Sequence, residues 1–129
     1  MQATTQQFTK TRLSMPKLLL HAEGLAIFAT ALIVYGRGGW SWWWFAGLLL
    51  APDLAMVGYL ANTRVGSILY NFAHTYTLPL LVTTLSFITD SAVGMQLGII
   101  WLAHIGMDRT VGYGLKYPEA FRTTHLDRV

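Results

Sequence analysis

The sequence predicts an all-α fold, an integral membrane four-helix up-down bundle, and three observations carry that expectation. Four apolar stretches each approach or exceed the roughly 20 residues needed to cross a bilayer: 17–36, 40–60, 66–88 and 91–109. Hydrophobic residues make up 53% of the 129-residue chain and charged ones only 12%, about half the share usual in a soluble domain. The ionisable and amide groups inside the stretches also recur at similar depth. His21 and Glu23 fall in the first, Asp53 in the second, Asn71 and His74 in the third, His104 and Asp108 in the fourth.

Residues 1–14 form a polar, Thr- and Gln-rich tail without helical periodicity, and residues 15–129 form a single transmembrane domain with a short C-terminal tail. Met15 would serve as a start just before the first span. Pro16 suits a first helical turn, where its missing N–H is not needed. Gly36-Arg37-Gly38-Gly39 ends the first span in a tight turn. Pro52, beside Asp53, removes a backbone hydrogen bond inside the second span and kinks it. Asn62-Thr63-Arg64 makes the next turn, and Pro79 kinks the third span. Thr89-Asp90-Ser91 is a short turn, with Asp90 or Ser91 as the cap of the fourth helix. Turns this short favour antiparallel neighbours. Gly94 and Gly98 give a small-residue face for close packing, within the chain or between two copies.

The chain has no cysteine, which excludes disulfides, thiolate metal sites and cysteine nucleophiles. Its net charge of +3 reflects orientation rather than nucleic-acid binding, because the basic residues flank the spans. Eight of the nine lie on the side of the termini and the second loop, and only Arg37 lies opposite. Both termini are therefore expected to be cytoplasmic, with the Trp40–Phe45 aromatic run at the outer interface. The Ala29-Thr30-Ala31 run resembles a signal-peptide cleavage site, but His21 and Glu23 would interrupt the apolar core of such a signal.

At 1.5 Å per helical residue, Glu23, Asp53, Asn71, His74 and His104 fall roughly 8–17 Å from the inner edge of a core about 30 Å thick. The outer halves carry no ionisable group. Polar groups in hydrocarbon usually face a protein interior or a wet cavity, so this distribution predicts a pocket open to the cytoplasm under an apolar roof. A continuous channel would need polar lining to both faces. His104 and Asp108 share a helix face, as do Tyr70, Asn71 and His74. His21 and Glu23, two apart, cannot both face inward, and Glu23 is taken as the inward one. Histidines and carboxylates on facing helices suit a divalent metal, Zn, Fe or Mn. The expected metal ligands are Glu23, His74, His104 and Asp108, and the wider ligand-binding set adds Asp53, Asn71, Arg109 and Tyr113. No spacing here is specific to metal, and a hydrogen-bonded network that locks the bundle uses the same residues. Arg109 could bind a phosphate or carboxylate, or simply snorkel to the interface.

The segment His104-x-Gly106-x-Asp108-Arg109-x-x-Gly112-Tyr113-Gly114-Leu115-Lys116-Tyr117, with His21-Ala22-Glu23-Gly24 and Pro52-Asp53, resembles a family of small bacterial four-span membrane proteins of unknown function. The resemblance covers about residues 15–127. It implies a place in the bacterial inner membrane and weight on His104, Asp108, Arg109, Gly112 and Tyr113, and it supplies no activity. Two functions follow as expectations. One is a cytoplasm-facing pocket for a metal or a small polar or lipid-headgroup ligand, open to hydrolytic or redox chemistry but with no catalytic residue identified. The other is a non-catalytic accessory subunit of a larger membrane complex. Membrane lipids are the expected partners, and nucleic acid is not. Self-association or assembly with other subunits is compatible with the outer Trp cluster and the glycine face.

Overall fold

The computed structural model describes residues 14–115 and 125–128, and these are all-α with no strand. The tail at 1–13 and the basic or aromatic residues Lys116, Tyr117 and Arg122 lie outside the described residues. Helix α1 spans Met15–Arg37, with Ser14 Oγ accepting the Lys17 N–H at 3.3 Å and Pro16 in the first turn. Helix α2 spans Trp42–Leu48, capped by Ser41. A 3-10 helix follows over Ala51–Leu60. Helix α3 spans Thr63–His74, capped by Asn62 Oδ1. Helix α4 spans Thr77–Ile88 and helix α5 Ala92–Val111. Ser91, not Asp90, caps α5 by accepting the Gly94 N–H. A 3-10 turn at His125–Arg128 closes the described chain.

Two of the four expected spans are not uninterrupted α-helices. The second changes to 3-10 geometry at Pro52. The third is broken at Thr75–Tyr76 into two 12-residue helices, each only about 18 Å long. Pro79 accounts for the position of the break. It has no N–H to offer the Thr75 carbonyl four residues earlier, and Thr75 turns extended at φ −94°, ψ 144°. Among the described residues two segments, Met15–Arg37 and Trp42–Leu60, are long and apolar enough to cross a membrane by length and composition.

Helix α5 is the centre, packed along both α1 and α4. Glycine sets the approach to α1. A Cβ at Gly106 would stand 2.7 Å from the Phe28 nitrogen and 2.8 Å from the Gly24 carbonyl oxygen, and one at Gly24 would overlap Arg109. The pairs Gly24–Arg109 and Phe28–Gly106 run in opposite directions, so α1 and α5 are antiparallel. Gly94 and Gly98 face Ser86 and Thr83 of α4, so this small-residue face packs within the chain. Gly58 and Gly66 let the 3-10 helix and α3 close on one another. At one end Tyr35 is fully buried among Trp40, Trp42 and Phe45, and its hydroxyl donates to the Ser41 carbonyl at 2.7 Å.

The distribution of polarity is inverted relative to a water-soluble domain. Large apolar side chains on every helix are exposed, Leu25, Ile33, Leu54, Phe72, Leu81 and Phe87 among them. The buried polar and charged residues are Ser67, His74, Ser86, His104, Asp108 and Arg109.

Candidate metal centre

Four side chains converge in the middle of the bundle: Asp53 from the 3-10 helix, His74 from the end of α3, and His104 and Asp108 from α5. One ligand atom from each lies within 4.8 Å of all the others, so this group could hold a metal ion. His74 Nε2 is 3.1 Å from Asp53 Oδ1 and 3.4 Å from Asp108 Oδ2. His104 Nε2 is 3.2 Å from each of the same two oxygens. The two Nε2 atoms are 3.0 Å apart. Both histidines are fully buried, and Asp108 nearly so. The Asp53 side chain is 39% exposed, so the group opens to the outside at Asp53.

The backbone breaks make this arrangement possible. In a regular α-helix the Asp53 N–H would bond the Leu49 carbonyl. Here it bonds Leu50 instead, at 3.0 Å, in 3-10 register. The Leu49 carbonyl is left to accept the Nδ1–H of His104 at 2.6 Å. His74 Nδ1 donates to the Tyr70 carbonyl at 2.8 Å, and the Tyr70 ring stacks on the imidazole at 3.7 Å and 8°. A carbonyl oxygen can only accept, so each ring carries its proton on Nδ1. In the neutral rings both Nε2 lone pairs are then directed at the centre, flanked by two carboxylates. Such backing hydrogen bonds are how metal-binding histidines are usually oriented.

The break in the third stretch also exposes helix-end carbonyls, and α5 satisfies them. Trp101 Nε1 donates to the Ala73 carbonyl, and Arg109 Nη2 to the His74 carbonyl at 2.8 Å. Arg109 Nη1 donates to the Tyr113 carbonyl at 2.7 Å. The end of α5 is closed by a left-handed Gly112 at φ 103°. The Tyr113 N–H reaches back to the Asp108 carbonyl at 2.7 Å and Gly112 N–H to Arg109 at 3.3 Å, the Schellman pattern. A residue with a Cβ would be strained there. The Asp108-Arg109-x-x-Gly112-Tyr113 segment thus ends the helix just below the two ligands that α5 supplies.

The remaining expected site residues lie elsewhere. Glu23 is exposed and stands apart from the four-residue group; it lines a side cavity with Tyr76, Arg109 and His125. Asp53 occupies the fourth place that Glu23 was expected to fill. His21 reaches α5 directly, where its Nδ1–H donates to the Thr110 carbonyl at 2.9 Å. Asn71 is half-buried on α3 and is not one of the four, and the Tyr113 side chain is exposed. Contributions that residue types alone do not announce are the Leu49 carbonyl and His125. His125 exchanges hydrogen bonds with Leu115, through both its backbone N–H and its Nδ1, each at 2.8 Å. Leu126 beside it is fully buried.

Neither a curated protein nor a solved structure matches the chain. A protein family does, over residues 17–129, a range that includes every residue of the centre. The chain belongs to the family described as Domain of unknown function (DUF4260).

Proposed function

We propose that the chain is a bacterial inner-membrane protein with four helical passes and both termini in the cytoplasm. In its cytoplasmic half it binds one divalent metal ion, Zn, Fe or Mn, through Asp53, His74, His104 and Asp108. The observation that carries the metal reading is the pair of Nε2 atoms at 3.0 Å. With both rings neutral, each proton sits on the far nitrogen, and two lone pairs and two carboxylates then meet with no donor among them. A cation placed among them turns that repulsion into coordination.

The spacing supports the same reading. Ligands about 2.0–2.1 Å from a tetrahedral ion stand about 3.3 Å apart. Five of the six separations in the group are 3.0–3.4 Å. The sixth, between the two carboxylates, is within 4.8 Å. Two imidazoles with two carboxylates suit Zn, Fe and Mn. Such an ion would supply Lewis acidity or, as iron or manganese, redox chemistry. The accessible edge at Asp53 is where a water molecule or substrate would reach it. The membrane reading is supported by the two long apolar segments, the exposed apolar faces and the eight-to-one basic asymmetry.

A chelator experiment tests the proposal. An ion held at about 100 times its Kd stabilises the folded state by about 2.7 kcal/mol. Detergent-purified protein is expected to melt at a lower temperature after EDTA treatment and to recover with one of Zn, Fe or Mn. Asp108→Asn is expected to melt at the same temperature with and without chelator. Wild-type protein indifferent to EDTA and to all three ions would contradict the proposal.

A further inference from the structure

Beside the metal centre lies a second cavity, of about 240 Å³, lined by Leu20, Glu23, Thr75, Tyr76, Arg109 and His125 among others. Its deepest charge is Arg109, which is only 5% exposed. The guanidinium has five N–H donors. Its protein partners are two neutral carbonyls, Tyr113 and His74. No carboxylate lies within ion-pair distance of it among the described residues. A buried cation with no carboxylate in contact is expensive, and this one is held over the Tyr76 ring at 5.9 Å. The Tyr76 hydroxyl is itself buried without a hydrogen-bond partner among the described residues. A charged donor with unspent N–H groups thus lines the cavity, and an unpartnered hydroxyl lies closed off behind its wall.

Two further features narrow the ligand. Glu23 adds a negative charge to the same cavity, which disfavours a bare multivalent anion and suits a ligand that also carries a cation. Tyr76 also borders an apolar cavity of about 340 Å³ between α1, α4 and α5, with Ile27, Leu80, Met95 and Ile99 in its walls. We infer that the Arg109 cavity binds a phosphate linked to an ammonium group, as in an ethanolamine headgroup. The phosphate oxygens accept from Arg109 and Tyr76, and the ammonium faces Glu23. The adjoining apolar cavity favours a membrane phospholipid, its acyl chain seated there, over the same headgroup free in solution. The inference does not rest on the metal reading, because neither Tyr76 nor Glu23 belongs to the metal group.

The test is calorimetric titration of the full chain in detergent with three probes: dihexanoyl phosphatidylethanolamine, dihexanoyl phosphatidylglycerol and free phosphoethanolamine. Metal content is measured on the same samples, so that failure of this site and failure of the metal site are read separately. The ethanolamine lipid is expected to bind about tenfold or more tighter than the glycerol lipid, the scale of a charge-assisted hydrogen bond. Glu23→Gln removes that preference. Tyr76→Phe weakens ethanolamine-lipid binding by about tenfold while melting temperature and metal content hold, because its hydroxyl bonds nothing in the protein. Arg109→Gln loses binding but also loses the α3–α5 tie, so Tyr76→Phe carries the decision. Free phosphoethanolamine binding as tightly as the lipid would support the phosphate–ammonium site and assign it to a soluble ligand; weaker binding supports the lipid. No binding of any probe, equal affinity for the two lipids, or unchanged affinity in Tyr76→Phe would overturn the inference.

Discussion

His74 and His104 present their Nε2 atoms to each other at 3.0 Å, and each ring is held from behind by a backbone carbonyl, Tyr70 for one and Leu49 for the other. Neither ring can turn its N–H inward without surrendering that bond. The two imidazoles come from helices with no direct connection, and their meeting point is where the two Asp carboxylates also arrive. Ligand orientation at this point is therefore a property of the backbone: a carbonyl within α3 holds His74, and one left free by the 3-10 register at Asp53 holds His104.

Replacing Pro52 by Ala tests that dependence. Alanine restores an N–H and allows regular α-helix through Asp53, whose own N–H then competes with His104 for the Leu49 carbonyl. No ligand is removed. Loss of a backing hydrogen bond typically weakens metal binding by about 10–100-fold, and that loss is expected here in a chelator-competition titration. Unchanged affinity would show that the 3-10 segment is incidental to the site.

A pair of glycine substitutions separates helix packing from helix propensity. Gly106→Ala drives a Cβ to 2.7 Å from the Phe28 nitrogen, a backbone atom of α1 that cannot step aside cheaply. A loss of about 1–3 kcal/mol is expected from such overpacking. Gly47 lies within α2, and a Cβ there meets nothing within 4 Å. Gly47→Ala is expected to be neutral or to stabilise by about 0.5–1 kcal/mol. Thermal melting of both variants in the same detergent reads the contrast, and equal effects would remove Gly106 from the account of how α1 meets α5.

The orientation is open to labelling. With eight basic residues on one side and Arg37 on the other, a cysteine introduced at Gly39 is expected to react with an impermeant maleimide from outside intact cells. One introduced at Thr63 is expected to stay unlabelled until the membrane is opened. The reverse pattern would turn the site toward the outer face.

The membership of the four-residue group was legible in the sequence only in part. Counting residues from the basic flanks groups Glu23, Asp53, Asn71, His74 and His104, and of these only Asp53, His74 and His104 are brought together, with Asp108. The four-residue spacing of His104 and Asp108 gives their shared face directly. The choice between His21 and Glu23 turns on a partner that no spacing reveals: the Thr110 carbonyl at the end of α5 is available to His21, while Glu23 lines the side cavity with Tyr76 and Arg109. The kink at Pro79 is readable from proline's missing N–H. That it would open the helix at Thr75 and leave carbonyls for Trp101 and Arg109 is a tertiary outcome, as is the capture of Leu49 by His104. Gly24 and Gly106 look like flexible positions in the sequence, and in the fold they are where two backbones nearly touch.

The central question is whether one ion sits among Asp53, His74, His104 and Asp108. Metal stoichiometry of the detergent-purified chain by inductively coupled plasma mass spectrometry measures this directly, on wild type, Asp53→Asn, His104→Ala and Glu23→Gln prepared side by side. The expected result is close to one Zn, Fe or Mn per chain in wild type and in Glu23→Gln, and loss of that ion in Asp53→Asn and His104→Ala. A metal-free wild type, or an ion lost with Glu23 and kept without Asp53, would contradict it.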